Sequence, residues 1–165
     1  MRVTTKEIAV FGMLGALMYA SKMLMELFPN IHLLAMFTIS ITLAYRQKAL
    51  YPIYIYVLIL GLSSGFAVWW IPHLYLWTAL WAVTMLIPRN LSKKVFPWVC
   101  AVVCAAHGFL YGTLYAPFQA LWFGLDFKGM LAWIAAGLPW DILHGISNLV
   151  MGLLIPRIVA LLKKV

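Results

Sequence analysis

Asp141, His144 and Asn148 stand at i, i+3 and i+7 in a segment that opens Gly137-Leu-Pro139-Trp140-Asp141. That spacing lays an acid, an imidazole and an amide along one helix face. In so apolar a stretch these groups are costly to bury unless each meets a polar partner. If the helix starts at Pro139, Asp141 falls in its first turn, where the helix dipole favours an anion. His144 and Asn148 carry the stripe further inward, beyond the reach of that argument, and point to a polar site. His107 stands about 13 Å below the outer end of its own predicted helix, at about 1.5 Å per residue, within reach of the first turns around Asp141. Read blandly, it is a helix-to-helix hydrogen-bond donor. Cys100 and Cys104 precede it at a spacing loosely like a metal site, but two thiols in an apolar span read better as small packing residues, and no metal is expected.

Lys22 and Glu26 lie one turn apart near the outer end of the first apolar stretch. They read either as an ion pair reaching for the interface or as the rim of a polar pocket. Aromatic residues crowd the same side. Trp77 and Trp81, one helical turn apart, suit stacking on a flat ligand, with Trp69, Trp70, His73 and Tyr111 completing the expected substrate-binding set. Many of the remaining rings, such as Trp122 and Trp140, read as an interfacial belt.

The elements that must hold these groups are membrane helices. Mean hydropathy is +0.98 and only 10% of residues are charged, against roughly a quarter in soluble domains. The basic residues recur in clusters: Arg2 and Lys6, Arg46 and Lys48, then Arg89, Lys93 and Lys94, and finally Arg157, Lys163 and Lys164. Long, nearly uncharged stretches separate them. Basic residues stay on the cytoplasmic side of a membrane, so the rhythm predicts an all-α integral membrane protein with both termini cytoplasmic. The net charge of +8 then marks topology and not nucleic-acid binding, which would place its cations on one solvated face.

Six spans are predicted in a single domain, 1–165. They run from about Lys6 to Phe28, Ile31 to Tyr45, Ala49 to Phe66, Leu74 to Ile87, Val95 to Tyr115 and Pro139 to Leu162. The first ends at Pro29-Asn30 and is too long for a signal-peptide core, so it is expected to stay. Residues 116–138 form the last outer loop, with a turn at Gly124 to Gly129. Met130 to Ala136, too short to span, is predicted as a re-entrant or interfacial helix there. In the first span Gly12, Ala16 and Ala20 form a small-residue stripe. Such a stripe suits close helix approach in lipid, whether within this chain or against a partner.

Three stretches together resemble the substrate-capture (S) components of energy-coupling-factor transporters, which take up vitamins and related micronutrients in prokaryotes. They are Ala16-Leu-Met-Tyr-Ala20, Tyr115-Ala-Pro117 and the opening of the sixth span, Gly-Leu-Pro-Trp-Asp-Ile-Leu-His-Gly. The resemblance covers essentially the whole chain. It implies ligand capture from outside, in the plasma membrane of a prokaryote. It further implies docking through Gly12, Ala16 and Ala20 on a transmembrane coupling protein that bears two ATPase subunits. Asp141 and His144 would occupy positions where relatives hold ligand with Asn and Lys, so the substrate does not transfer; a ligand with a donor or cationic group near Asp141 is implied.

The chain has no phosphate-binding loop of its own and is expected to be a transport subunit, with no enzymatic activity and no cofactor. The alternatives are a small intramembrane enzyme using His107, Asp141 and His144, or a structural subunit whose polar residues stitch helices. Against the enzyme, there is no His-Glu-x-x-His motif and no Glu close by to serve as base.

Overall fold

A computed structural model describes residues 3–28 and 31–164. Arg2 and the predicted Pro29-Asn30 turn lie outside the described residues. The described residues form eight α-helices: α1 (Thr5–Met25), α2 (Leu34–Tyr45), α3 (Leu50–Ser64), α4 (His73–Met85), α5 (Phe96–Phe109), α6 (Tyr111–Phe123), α7 (Phe127–Gly152) and α8 (Ile155–Leu162). Short 3₁₀ turns at Arg46–Ala49 and Val68–Trp70 join α2 to α3 and α3 to α4, and no strand occurs among the described residues.

The helix starts follow from local chemistry. Thr4 and Glu7 form a reciprocal capping box at α1, which satisfies two otherwise orphaned backbone N–H groups. Gly124 ends α6 in the left-handed conformation, φ 64°, where a Cβ would be penalised. Asp126 then caps α7 by accepting from the Gly129 N–H at 2.7 Å.

That cap changes the predicted outer loop. Met130 to Ala136 is not a separate helix; it belongs to α7, which begins at Phe127 and runs through Pro139. Pro139 is therefore an interior residue and not the first of its helix. The predicted fifth span also continues past Tyr115: α5 and α6 meet at Leu110, and the helical path ends at Phe123. The end of the sixth span is bent by 53° between α7 and α8. There Pro156 has no N–H to offer the Gly152 carbonyl, which breaks the hydrogen-bond ladder.

Two helical stretches are long and apolar enough to cross a membrane, Thr5–Met25 and Phe96–Phe123, and α7 with α8 adds a third if the bent pair is one span. At 12, 15 and 13 residues, α2, α3 and α4 fall short of the roughly 20 that a bilayer core requires.

Helix α2 is the centre of the bundle. It carries no charge, is buried on nearly every side, and packs against α4, α8, α5, α7 and α1. A helix apolar all round belongs inside. The tightest packing is between α5 and α7, where Gly108 faces Gly145 backbone to backbone and Gly152 faces Ala101. On α1 the inward residues are Phe11, Gly15, Met18 and Ser21, and Gly15 lies against Ile55 of α3. Ala16 and Ala20 are exposed, and nothing lies within 4 Å of the place a Gly12 Cβ would take. The stripe is thus not an internal seam.

The bundle has two unlike ends. At one, the Lys48 ammonium pairs with Glu7, the Tyr45 hydroxyl donates to the Leu162 carbonyl at 3.1 Å, and Arg46 donates to the Met85 carbonyl at 2.7 Å. The start of α1, the end of α8 and the basic turn after α2 therefore meet. At the other end the aromatic residues around Trp69 gather. Polarity runs inside out: Thr38, Ser40, Thr42, Thr84, His107, His144 and Asn148 are buried, while Met13, Leu24, Leu27 and Leu121 are more than two-thirds exposed.

Candidate functional site

At the aromatic end, between α1, α2, α3, α4, α6 and α7, lies a cavity of about 380 Å³. Lys22 comes from the last turn of α1, His32 from the segment before α2, and Tyr56, Leu60 and Ser64 from α3. Trp69, His73 and Trp77 reach in from the turn before α4 and from α4 itself, and Tyr111 and His144 close the inner side. The wall is a chain of ring contacts. His144 meets His32 edge to face at 5.7 Å and Tyr111 at 5.3 Å, while Trp77 meets Tyr56 at 6.0 Å and Tyr111 at 6.3 Å.

Hydrogen bonding fixes some of these groups and leaves others open. The His73 ring nitrogen Nδ1 lies 3.1 Å from the Trp69 carbonyl, which also accepts from the Tyr115 hydroxyl at 3.2 Å. His32 Nδ1 and the Trp77 indole Nε1 are buried without a hydrogen-bond partner. An unsatisfied buried polar atom costs on the order of 1–3 kcal/mol. Two beside one cavity are groups that a ligand or water could satisfy. The lining holds one formal cation, Lys22, which pairs with Glu26 at the rim, and no carboxylate.

Asp141 and His144 do share a helix face, with Asn148 below them, but they do not share a hollow. Tyr111 divides them. Asp141 faces a second, more open groove between α6 and α7, walled by Tyr115, Trp133 and Trp140. Both carboxylate oxygens accept from the Gly112 N–H at 3.1 Å. The anion therefore sits at the start of α6, where backbone N–H groups lack intrahelical partners. It complements the dipole of α6 and not, as its position after Pro139 suggested, that of its own helix. The implied pairing of Asp141 with a ligand's cationic group thus has no counterpart in the cavity that His144 lines.

The other expected residues scatter. Trp81 lies one turn beyond Trp77, away from the cavity, and its indole N–H donates to the Arg46 carbonyl at 3.1 Å. Trp70 donates to the Val57 carbonyl at 2.8 Å and packs on Phe66. His107 is buried behind Trp77, ring to ring at 5.4 Å, and borders an apolar hollow between α4 and α5. Its two ring nitrogens have no partner. The Asn148 amide donates to the Cys104 carbonyl at 3.1 Å, stitching α7 to α5. Cys100 and Cys104 are free thiols buried in the core, and no cluster of three metal-binding side chains occurs among the described residues. His32, Tyr56 and Ser64 join the cavity without any motif or spacing in the sequence to mark them, and only tertiary packing brings them in.

One prediction arises here. Asp141→Ala leaves the Gly112 N–H unsatisfied in a buried position, and should lower stability by about 1–3 kcal/mol. Asp141→Asn keeps an acceptor and should lose less. Thermal melts in detergent would separate the two; equal losses would mean that the hydrogen bond is not what Asp141 contributes.

Comparison with family models, with curated proteins and with solved structures finds no match to this chain. The class that fold and site define is an all-helical bundle with two to three helical stretches long and apolar enough to cross a membrane and an aromatic cavity at one end.

Proposed function

We propose that this chain is a membrane-embedded substrate-capture subunit of an energy-coupling-factor type importer, taking a vitamin-sized compound from outside and handing it to a separate, ATP-driven coupling complex. The observation that carries the reading is the 380 Å³ cavity. Its size falls in the range of small-molecule sites, roughly 300–1,000 Å³, and it combines aromatic walls with a few polar groups as such sites do.

Membrane embedding is supported by the inside-out surface. Large exposed apolar areas mark contact with lipid or protein, and intramembrane polar groups turn inward. Six crossings follow if α2, α3 and α4 complete their spans with the turns that flank them, and if α7 with α8 is one bent span. The gathering of basic turns at one end supports cytoplasmic termini, and on that reading the cavity opens to the opposite, outer side.

The lining narrows the substrate. Its formal charge is a single ammonium, and the Trp77 indole N–H can only donate. A flat ring lying along the wall that Trp77 and Tyr111 form, with an acceptor-rich or anionic end toward Lys22, satisfies both.

Mass spectrometry of small molecules released from the detergent-purified protein tests this. An acceptor-bearing planar compound is expected, retained by the native chain and lost about tenfold or more on His144→Ala, with the melting temperature little changed. Retention unaffected by His144→Ala would remove the inner wall from the site. A purified chain that holds no organic ligand but one zinc ion per molecule would favour the enzyme reading instead.

A further inference from the structure

At the basic end of the bundle, Arg46, Arg89 and Lys163 stand 43 or more positions apart in the chain, yet all three line one hollow of about 260 Å³. Arg46 follows α2, Arg89 lies in the loop between α4 and α5, and Lys163 follows α8. The rest of the wall is apolar, including Leu43, Phe96 and Val159.

Arg46 is held there at a cost. Its backbone has φ 57° and ψ −120°, outside the regions that L-residues normally occupy, and it is the one non-glycine residue with positive φ among those described. Such strain persists only where the surroundings over-determine it. Here they do: its N–H donates to the Thr42 carbonyl, its own carbonyl accepts from Trp81, and its guanidinium Nη2 donates to Met85. The guanidinium Nε is buried and has no partner.

No acidic side chain neutralises this group. The chain has four, and all are engaged elsewhere: Glu7 with Lys48, Glu26 with Lys22, Asp126 at the Gly129 N–H and Asp141 at the Gly112 N–H. Topology alone asks only that cations lie near this end of the helices. It does not require three of them to converge on a hollow, or one of them to be strained into it.

We propose that this hollow binds a phosphate oxyanion. Arginine forks match phosphate geometry through paired, charge-assisted hydrogen bonds, and Arg46 and Arg89 both line this hollow. The apolar wall suits the glycerol and first acyl carbons of an anionic phospholipid. Basic pockets between membrane helices recognise such headgroups, while inorganic phosphate offers the same oxygens without the tail. The proposal does not depend on the transport reading, since it concerns the other end of the molecule.

Two arms test it on the full chain. In the first, delipidated protein in a neutral detergent is titrated with inorganic phosphate by calorimetry. In the second, native mass spectrometry of protein released from nanodiscs of mixed phosphatidylglycerol and phosphatidylcholine reads which lipid stays bound. Saturable phosphate binding, or selective retention of one phosphatidylglycerol, is expected, and the arm that responds identifies the source. Binding should weaken with added sodium chloride and fall about tenfold in Arg89→Gln and in Lys163→Gln. Neither residue makes a helix-stitching hydrogen bond, so both variants should stay folded where Arg46→Gln could fail. No binding in either arm, binding that survives the Arg89→Gln/Lys163→Gln double change, or binding only of an acidic peptide such as oligoglutamate would overturn the proposal.

Discussion

Gly108→Ala and Gly152→Ala should each destabilise the protein by about 2 kcal/mol or more, read as thermal unfolding in detergent. A Cβ on Gly108 would sit 2.8 Å from the Gly145 backbone, and one on Gly152 would sit 2.6 Å from the Ala101 Cα. Backbone cannot step aside without moving α5 against α7, the most extensively packed helix pair in the fold. Gly145→Ala should cost less, because the atoms in its way belong to the Phe109 ring, which is 42% exposed and free to swing. Gly12→Ala meets nothing within 4 Å. It should be neutral or stabilising by up to about 1 kcal/mol, since alanine is the better helix former. The order of the four variants is the test. Gly108→Ala and Gly152→Ala melting like Gly12→Ala would mean that α5 and α7 do not approach so closely.

This seam was not legible in the sequence, and the reason is physical. Gly108, Gly145 and Gly152 lie on two helices, and a close approach depends on how those helices register, which neither segment encodes alone. Periodicity within one helix is different. Asp141, His144 and Asn148 fall on the same buried face because 3.6 residues per turn require it. The same logic could not say which side of Tyr111 each would face, and so one expected hollow became two.

Proline misled at the outer loop for a related reason. Pro139 suits a first helical position, but Asp126, whose side chain can reach the Gly129 N–H, is the local start signal that operates. Once α7 is nucleated there, the bundle carries it through the proline. On α1 two small-residue sets compete at neighbouring angles: Gly15 turns inward to Ile55, and the Gly12, Ala16 and Ala20 set turns out. Composition shows both sets, and only packing distinguishes them. The gathering of basic turns at one end of the bundle, in contrast, needs no packing to be read, because it follows from the spacing of charged and apolar stretches along the chain.

The outward stripe leads to the largest functional effect expected. On the proposed capture role, Ala20→Trp, or Ala16→Trp, should abolish assembly with a coupling protein and its ATPase pair while leaving ligand binding in the cavity intact. Both alanines are exposed and neither lines the cavity, so a bulky side chain has room on the free subunit and should not disturb its core. Against a facing helix it has none, since small residues let backbones approach closely and a tryptophan holds them apart. His144→Ala should do the reverse, losing ligand while retaining assembly. Gly15→Trp is the internal control: it drives a ring into Ile55 and the Pro52 carbonyl and should lose both properties together with the fold. Co-purification of a tagged chain with its coupling complex, alongside ligand content by mass spectrometry, reads both properties at once. Normal assembly of Ala16→Trp and Ala20→Trp would leave the stripe facing lipid alone and move the search for a docking face to another side of the bundle.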